Sequence, residues 1–344
     1  MNGLVLDAGN SIIKSKTFSG GELAFPHAMT PISEPQYLDI LRSYADAPPD
    51  DFLRVNGRCY VVGESAERFG VSQHERGPAR YGRDYVGILA AAAIARNYNT
   101  SCDLAVFAAH PPGHIDYADL LMASILGVWD IEIRARSLRF TVSYVNTFDE
   151  PSGGLMNALL TEDGTSYANP ALRGQRILVI DIGGGTTDWI ETDESGQIDY
   201  GVSHTEPLGI DDILGQFARA FKARYKNATK SANRLAPERV REALNTGIFR
   251  GGGEELDCRE EADQARNQLI NLVLRETRSR YGGGFNYDAI LLTGGGCGLL
   301  HSYIIPLLEN SNIHLAAQPD ELHLANVRGG LKLWRLYRAI GVIS

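Results

Sequence analysis

Cysteine is scarce in this 344-residue sequence, and long apolar runs are missing. The cysteines at positions 59, 102, 258 and 297 lack the close spacing of a zinc knuckle or a redox motif, so we interpret them as free thiols of a reducing compartment. No run approaches the roughly 20 apolar residues of a membrane span, and no signal-peptide pattern precedes the first predicted strand. The sequence therefore predicts a cytoplasmic protein without a membrane partner.

Positive charge is also in short supply, because 33 lysines and arginines face 42 aspartates and glutamates, for a net charge of −9. No basic tract is long enough to follow a phosphate backbone, so we expect no direct binding to nucleic acid. Hydrophobic residues make up 44% of the chain and charged residues 22%, which is close to an average globular composition. At roughly 100–200 residues per domain, the length predicts two domains.

An apolar strand that ends in aspartate occurs twice. Residues 3–7 run into the polar turn 8–11, after which a second strand begins at Ile12. The pattern returns about half a chain later as residues 177–181, a glycine turn and a second strand through Ile190. We infer that a whole lobe is duplicated and that two similar lobes face each other.

Periodicity and turn residues predict further elements. The Asn56-Gly57 pair predicts a hairpin over 52–62, and strands are expected at 103–109, 131–134, 139–145 and 289–293. Helices are expected at 85–95, 117–126, 209–225, 237–245, 260–281, 299–308 and 325–340. The last helix presents Val327, Leu331 and Trp334 on one face and should pack on the first lobe, with Lys332 at a polar position. The predicted domains are 1–160 with 325–344, and 161–324.

The two aspartate-ended strands place a carboxylate beside unhindered backbone N–H groups. Glycine permits the positive φ angles that turn successive amides toward an anion, and magnesium needs only one or two carboxylates to be held against a polyphosphate. Each turn alone is an ordinary hairpin turn, but together they favour one nucleotide clamped between the lobes. A P-loop motif is absent. The candidate phosphate ligands are Gly9, Asn10, Ser11, Lys14, Gly183, Gly184, Gly185, Thr186 and Thr187, and a third glycine cluster is Gly294, Gly295 and Gly296.

These motifs resemble those of a known superfamily. Residues 4–14, 178–188 and 291–296 are similar, in the same order, to the first phosphate, second phosphate and adenosine motifs of the actin, heat-shock chaperone and sugar kinase superfamily. The chain length and the runs 209–213 and 325–329 resemble the ParM/StbA group and archaeal actin-like proteins. The resemblance spans nearly the entire chain. It implies a duplicated actin-like (ribonuclease H-like) α/β fold of two domains, with a nucleotide cleft between the lobes.

The resemblance also implies catalytic roles. Asp7 and Asp181 would hold Mg²⁺ through water molecules, and Lys14 would contact the phosphates of ATP. The run Glu150-Pro-Ser-Gly-Gly resembles the glutamate-bearing turn of the family, in which the carboxylate orients the attacking water, so Glu150 is the candidate general base. The alternative is that Glu150 only favours the start of a helix through the helix dipole. Phosphoryl transfer to water needs positioning and charge stabilisation rather than a protein nucleophile.

Further residues are assigned to the nucleotide by resemblance. Gly209 and Asp212 match a segment near the nucleotide, and the glycine cluster at 294–296 would let the adenosine approach the backbone. Glu238 and Arg241 resemble a ribose-contacting pair, with a solvent-exposed charged pair on a helix as the open alternative. The glycine-lined base pocket does not distinguish ATP from GTP. His110, His204 and His301 lack metal-ligand spacing and are interpreted as surface or loop residues.

The leading functional hypothesis is an Mg²⁺-dependent ATPase that polymerises into filaments by head-to-tail self-association. The resemblance to ParM implies a role in plasmid or other DNA segregation, through a separate DNA-binding adaptor protein. One alternative is a small-molecule kinase on the same scaffold, in which a carboxylate deprotonates a substrate hydroxyl. A second alternative is a chaperone-like ATPase that binds another protein without polymerising, although the sequence lacks the long substrate-binding extension of heat-shock chaperones.

Overall fold

The computed structural model describes residues 2–44, 49–68, 77–134, 136–226 and 235–343. The chain forms two compact units, the first from Met1–Arg173 with Leu324–Ser344 and the second from Gly174–His323. Residues 161–173, which the sequence analysis placed in the second domain, belong to the first unit. No helix in the described ranges is both long and apolar enough to cross a membrane.

The described strands are β1 (Asn2–Ala8), β2 (Ile12–Thr17), β3 (Glu22–Pro26), β4 (Met29–Ile32), β5 (Phe52–Val55), β6 (Arg58–Val62), β7 (Cys102–His110), β8 (Gly127–Ile133), β9 (Arg136–Asp149), β10 (Ile177–Ile182), β11 (Thr187–Thr192), β12 (His204–Glu206), β13 (Ile248–Gly251), β14 (Glu254–Asp257), β15 (Ala289–Thr293) and β16 (Ile313–Leu315). The described helices are α1 (Glu34–Ser43), α2 (Gly63–Arg68), α3 (Ile88–Asn97), α4 (Ala118–Ile125), α5 (Glu150–Leu159), α6 (Ile210–Arg224), α7 (Pro237–Thr246), α8 (Arg259–Tyr281), α9 (Gly295–Ile304) and α10 (Ala325–Ala339). Short 3₁₀ turns connect several of them.

The two units contain the same five-strand arrangement. In the described part of the first unit, nine strands form a sheet in the order β3-β2-β1-β7-β9-β8-β5-β6-β4, and in the second unit five strands follow the order β12-β11-β10-β15-β16. β1 pairs antiparallel with β2 and parallel with β7, as β10 does with β11 and β15. The outer pairs also match, since β2–β3 and β11–β12 are antiparallel while β7–β9 and β15–β16 are parallel. This correspondence supports a duplicated lobe.

The central strands are buried on both faces, as expected of parallel strands that helices cover on either side. Leu4 and Leu6 of β1 pack into one core with α3, while Val5 between them faces a second core with Phe107 and the residues of α10. Because successive side chains of a strand point to opposite faces, one short apolar run contributes to both cores.

Helix α10 packs on the first unit, as predicted from its apolar face. Val327, Leu331 and Trp334 belong to the same core as Val5. Lys332, which was expected at a polar surface position, is only 6% exposed, and its ammonium donates to the carbonyl of Asn157 at 2.9 Å. Burial lowers the pKa of Lys332, and nearby Glu162 partly opposes this effect.

Several local predictions differ from the structure at their ends. The Asn56-Gly57 turn is confirmed, with φ angles of 46° and 80° that suit a tight hairpin turn. The helix expected at 85–95 begins as a single π-helical turn, Arg83–Gly87, before α3. The helix expected at 299–308 begins earlier, at Gly295. The β13–β14 hairpin was not predicted at all.

Candidate functional site

Acidic and basic side chains lie at the carboxyl ends of three parallel strands in the first unit. Asp7 lies near the end of β1, His110 ends β7, and Asp149 ends β9 directly before Glu150 opens α5. These four residues are between 0% and 6% exposed. In open α/β sheets, ligands bind at this edge. The interpretation of His110 as a surface or loop residue is wrong, since it is 1% exposed and paired in register with Asp149.

The first glycine turn is built around the Asp7–Lys14 pair. The two residues face each other across the β1–β2 hairpin, and Lys14 Nζ lies 2.7 Å from Asp7 Oδ2. Asp7 Oδ1 is buried and has no hydrogen-bond partner among the described residues. A Cβ on Gly9 would lie 3.2 Å from Asp7 Oδ1 and 3.3 Å from Lys14 Nζ, so this glycine leaves the pair uncovered. A buried oxygen without a partner is typical of a site whose ligand supplies it.

His27 holds the same turn from the other side. Its ring Nδ1 donates to the carbonyl of Gly9, and its backbone N–H donates to the carbonyl of Ser11 at 2.8 Å. The ring is fully buried and lies 5.3 Å from the ring of Tyr85. His27 was not predicted, because it lies too far along the chain for a local pattern to place it beside this turn.

Arg80 connects Asn10 of the first turn with Glu150. The guanidinium is fully buried, its Nη1 donates to Asn10 Oδ1 at 2.5 Å, and its Nη2 lies 4.0 Å from Glu150 Oε1. Nη2 also donates to the hydroxyl of Tyr81 at 3.0 Å, and that hydroxyl lies 2.9 Å from Nδ1 of His114. Burial, with a smaller contribution from Arg80, lowers the pKa of His114 to about 4, so its ring is neutral near neutral pH. The sequence offered no signal for Arg80.

Tyr81, Arg83 and Tyr85 pack against neighbouring elements of the first unit. Tyr81 and Tyr85 are 1% and 6% exposed. Arg83 stacks over the ring of Trp129 at 4.1 Å and donates to the carbonyl of Leu126 at 2.6 Å.

In the second unit, Asp181 occupies the position that Asp7 has in the first. It lies near the end of β10, opposite Asp188 of β11 and in parallel register with Thr293 of β15, and it is 1% exposed. Gly294 follows Thr293 with φ 89° and ψ 155°, a conformation that is essentially restricted to glycine. A Cβ on Gly294 would lie 2.1 Å from Asp181 Oδ1. The backbone therefore approaches this carboxylate more closely than any other residue type permits.

The second glycine turn is tied to the start of α6. The N–H groups of Ile210 and Asp211 donate to the carbonyls of Gly183 and Gly184 at 3.1 and 2.9 Å, and a Cβ on Gly209 would lie 2.3 Å from the Gly184 oxygen. Asp212 caps the helix by accepting from the Gly209 N–H at 3.0 Å. Gly209 and Asp212 thus shape the turn that contains Gly183, Gly184 and Gly185.

The threonine hydroxyls of this turn have protein partners. Thr186 Oγ1 donates to Asp188 at 2.9 Å, and Thr187 Oγ1 donates to the carbonyl of Leu208 at 2.8 Å. Each hydroxyl has one hydrogen to donate, so neither is available to a phosphate in this arrangement. Asp188 also accepts from Thr205 at 2.6 Å, so it ties its hairpin to β12.

The third glycine cluster opens α9 against β10. A Cβ on Gly296 would lie 2.6 Å from the Ile182 side chain, whereas one on Gly295 would meet only His323, at 3.3 Å. Cys297 follows in the same helical turn and is fully buried, and burial together with nearby Asp181 raises its pKa. The thiol is therefore protonated at neutral pH and acts as a small apolar side chain.

The second unit carries two further groups of charged or potentially metal-binding side chains. Glu238 and Arg241 are both exposed on α7. His204, Glu206 and Glu276 bring one potential metal-ligand atom each within 4.8 Å of one another in the described part of the chain. Both carboxylate oxygens of Glu276 already accept from arginines, at 2.8 and 3.0 Å, so we assign this cluster a structural role.

Replacing Gly294 with alanine is expected to lower the free energy of unfolding by about 2–4 kcal/mol, since it adds backbone strain to a clash with the Asp181 carboxylate. Gly196→Ala is the matched control. Gly196 also has positive φ, at 81°, but has open space around its Cβ position, so about 1 kcal/mol is expected. Urea unfolding measures the stability of both variants. Equal losses of unfolding free energy would show that the close approach of Gly294 to Asp181 is unimportant.

Comparison with known proteins finds matches to the fold. Residues 179–304 match the family model described as archaeal actin homologue MreB-like, C-terminal. No functionally curated protein matches the sequence. Among solved structures, the archaeal actin homologue Ta0583 is similar with a TM-score of 0.77 and 16% identity, over 97% of this chain and 99% of that one. Another crystal structure of Ta0583 is a complex with ADP.

Two ParM structures are also similar. The 15-stranded ParM filament from Clostridium botulinum has a TM-score of 0.73 and 18% identity, over 96% of this chain and 98% of that one. Bacillus thuringiensis ParM with ATP has a TM-score of 0.69 and 14% identity, over 99% of each chain. The chain thus has the actin-like fold, and its residues 179–304 match the archaeal MreB-like branch of the actin homologues.

Proposed function

We propose that this protein binds ATP with Mg²⁺, hydrolyses it, and polymerises into filaments whose stability depends on the bound nucleotide. The observation that carries the proposal is the pair of buried aspartates, Asp7 and Asp181, at equivalent positions of two five-strand arrays with the same order and directions. Each aspartate adjoins a glycine turn. In the proposed site, both turns serve one nucleotide.

The donor set around the two aspartates fits magnesium. Asp7 offers a buried oxygen without a partner among the described residues, and the backbone of Gly294 packs so closely against the Asp181 carboxylate that a Cβ would lie 2.1 Å from its Oδ1. Magnesium prefers oxygen ligands and keeps several of its waters, so two carboxylates suffice. Asp7 and Asp181 are therefore the residues that would hold it. When bound, magnesium would neutralise charge on the phosphates.

The remaining roles belong to side chains of the first unit. Lys14 forms an ion pair with Asp7 in the structure. Once a cation lies beside Asp7, the Lys14 ammonium would be able to interact with the phosphates as well. Glu150 would orient the attacking water and accept its proton, because it is a buried carboxylate at the same sheet edge as Asp7. Backbone N–H groups of the two glycine turns would stabilise the charge of the transferred phosphoryl group.

Self-association is proposed because structures of the same fold include a ParM filament. A heterologous contact that does not close produces such a filament. Nucleotide-dependent assembly requires that ATP and ADP interact differently with the two assembly states. We further propose that the filaments segregate plasmid or other DNA, to which a separate adaptor protein would connect them.

Light scattering and pelleting of the purified protein test this function. We expect concentration-dependent assembly and phosphate release with ATP and Mg²⁺, and neither with ATP and EDTA. Asp7→Asn should weaken Mg²⁺-dependent ATP binding more than tenfold, because it removes one proposed metal ligand. Asp39→Asn, which removes an exposed carboxylate of α1, is the control and should behave as wild type. Failure of the wild type to bind or hydrolyse ATP would overturn the proposal.

A further inference from the structure

Arg80 is the most unusual charged residue in the described part of the first unit. Its side chain is 1% exposed, and charged side chains are almost never fully buried unless they are paired. Its partners lie on two different elements, Asn10 in the first glycine turn and Glu150 at the start of α5. A buried charge between two candidate site residues indicates a role in the site.

We propose that Arg80 is a positioning residue that couples Asn10 to Glu150, so that the phosphate-binding turn and the water-orienting carboxylate are held in one fixed relation. The inference rests on the proposed function and adds to it a residue that no comparison assigns. Arg80 acts through Asn10 and Glu150 rather than on the nucleotide.

The hydrogen-bonding chemistry of arginine fixes the orientation of Asn10. A guanidinium only donates hydrogen bonds, so the Asn10 group 2.5 Å from Nη1 must be the amide oxygen. The amide NH₂ of Asn10 then faces away from Arg80. Removing the guanidinium would allow this amide to rotate, and the first glycine turn would lose a defined donor.

Tyr81 fixes the guanidinium itself. The guanidinium carbon lies 4.9 Å from the centre of the Tyr81 ring, and Nη2 donates to its hydroxyl at 3.0 Å. The same hydroxyl lies 2.9 Å from Nδ1 of His114. The ring contact and the hydrogen bond from Nη2 together hold the guanidinium against Tyr81.

The Nε donor of Arg80 is still unused. Its Nε is buried and has no acceptor among the described residues. A buried donor without an acceptor is uncommon in folded proteins, and a water or ligand oxygen that arrives at the site would satisfy it. This observation places the guanidinium within a polar site rather than in a completed structural ion pair.

The test compares Arg80→Met, Arg80→Lys, Glu150→Gln and the double variant R80M/E150Q in single-turnover ATP hydrolysis and in titrations with a fluorescent ATP analogue. We expect Arg80→Met to slow hydrolysis about 100-fold while ATP affinity changes less than about fivefold. Arg80→Lys should recover only part of the rate, because one ammonium cannot contact both partners as the fork does. The double variant should be no slower than Glu150→Gln, because residues that act as a unit are not additive.

Arg96→Met is the matched control, because Arg96 is also a nearly buried arginine of the first unit, paired with Asp51 at 2.7 Å. It should shift the urea midpoint without changing the hydrolysis rate. A wild-type rate for Arg80→Met, or losses that multiply in the double variant, would overturn the inference.

Urea unfolding of the ligand-free variants separates this inference from the proposed function. If Asn10, Arg80 and Glu150 are coupled, the urea midpoint of the double variant N10A/R80M should shift by an amount that differs from the sum of the shifts of Asn10→Ala and Arg80→Met. Additive shifts would overturn the coupling even if the wild type hydrolyses ATP. Conversely, a wild type without ATPase activity would overturn the proposed function, and the unfolding cycle would still decide the coupling.

Discussion

Glu150→Gln is expected to slow ATP hydrolysis by about 10²- to 10³-fold while leaving ATP affinity within a few-fold of the wild type. Glutamine keeps the shape of the side chain but cannot accept a proton from the attacking water. The side chain is 8% exposed at the first position of α5, so the loss of charge is not compensated by solvent. Single-turnover phosphate release measures the rate, and pelleting should show filaments that persist longer in ATP.

The control for this variant lies in the same unit. Helix α1 also opens with Glu-Pro, at Glu34 and Pro35, but the Glu34 side chain is 64% exposed and pairs with Arg54 at 2.7 Å. Glu34→Gln removes the same charge from the same helical position, so it isolates the helix-dipole effect of a few tenths of a kcal/mol. We expect it to hydrolyse ATP at the wild-type rate. If Glu150→Gln hydrolysed ATP at a rate within threefold of the wild type, the role of Glu150 would be limited to stabilising the start of α5.

Gly329→Ala is expected to lower the free energy of unfolding by about 3 kcal/mol, although glycine to alanine within a helix ordinarily stabilises by up to about 1 kcal/mol. A Cβ on Gly329 would lie 1.6 Å from the carbonyl oxygen of Gly153 and 2.6 Å from the backbone nitrogen of Asn157. Both contacts are with backbone of α5, so no side-chain rotation relieves them. Helices α5 and α10 would have to separate, and urea unfolding measures the cost.

Gly215→Ala is the comparison variant, for which the change in the free energy of unfolding is expected to have the opposite sign. Gly215 lies inside α6, and its Cβ would meet only the flexible end of Arg219, at 3.4 Å. We expect this variant to be as stable as the wild type or more stable by up to about 1 kcal/mol. If both glycine variants changed stability in the same direction, the close helix contact would not be the reason for glycine at position 329.

The aspartate and glycine turns could be predicted from the sequence because their determinants are local. Asp7 and Lys14 are joined by one hairpin, and an apolar run that ends in aspartate before glycine is visible in a window of a dozen residues. Periodicity also predicted α10, whose apolar face matches the core that it contacts. The prediction of a polar surface position for Lys332 was wrong, because a long side chain can bury its stem and still reach a carbonyl with its ammonium group.

Arg80 could not be predicted, because its determinants are tertiary. Asn10 lies 70 positions before it, and Glu150 is as distant in the other direction. His110 was misjudged for a similar reason, since β7 continues to its last residue only because β9 pairs with it along that length. The short β13–β14 hairpin has too few residues for an alternating pattern to be recognised.

The discontinuity of the first unit affects how the chain folds during synthesis. Val5, Phe107 and Phe148 share a core with α10, so this face of the sheet stays exposed to water until residues 324–343 have left the ribosome. The continuous second unit has all its residues available earlier. We therefore expect the second unit to complete its core before the first, although N-terminal domains usually fold first, and we expect a nascent chain that stalls before residue 324 to present an apolar surface to chaperones.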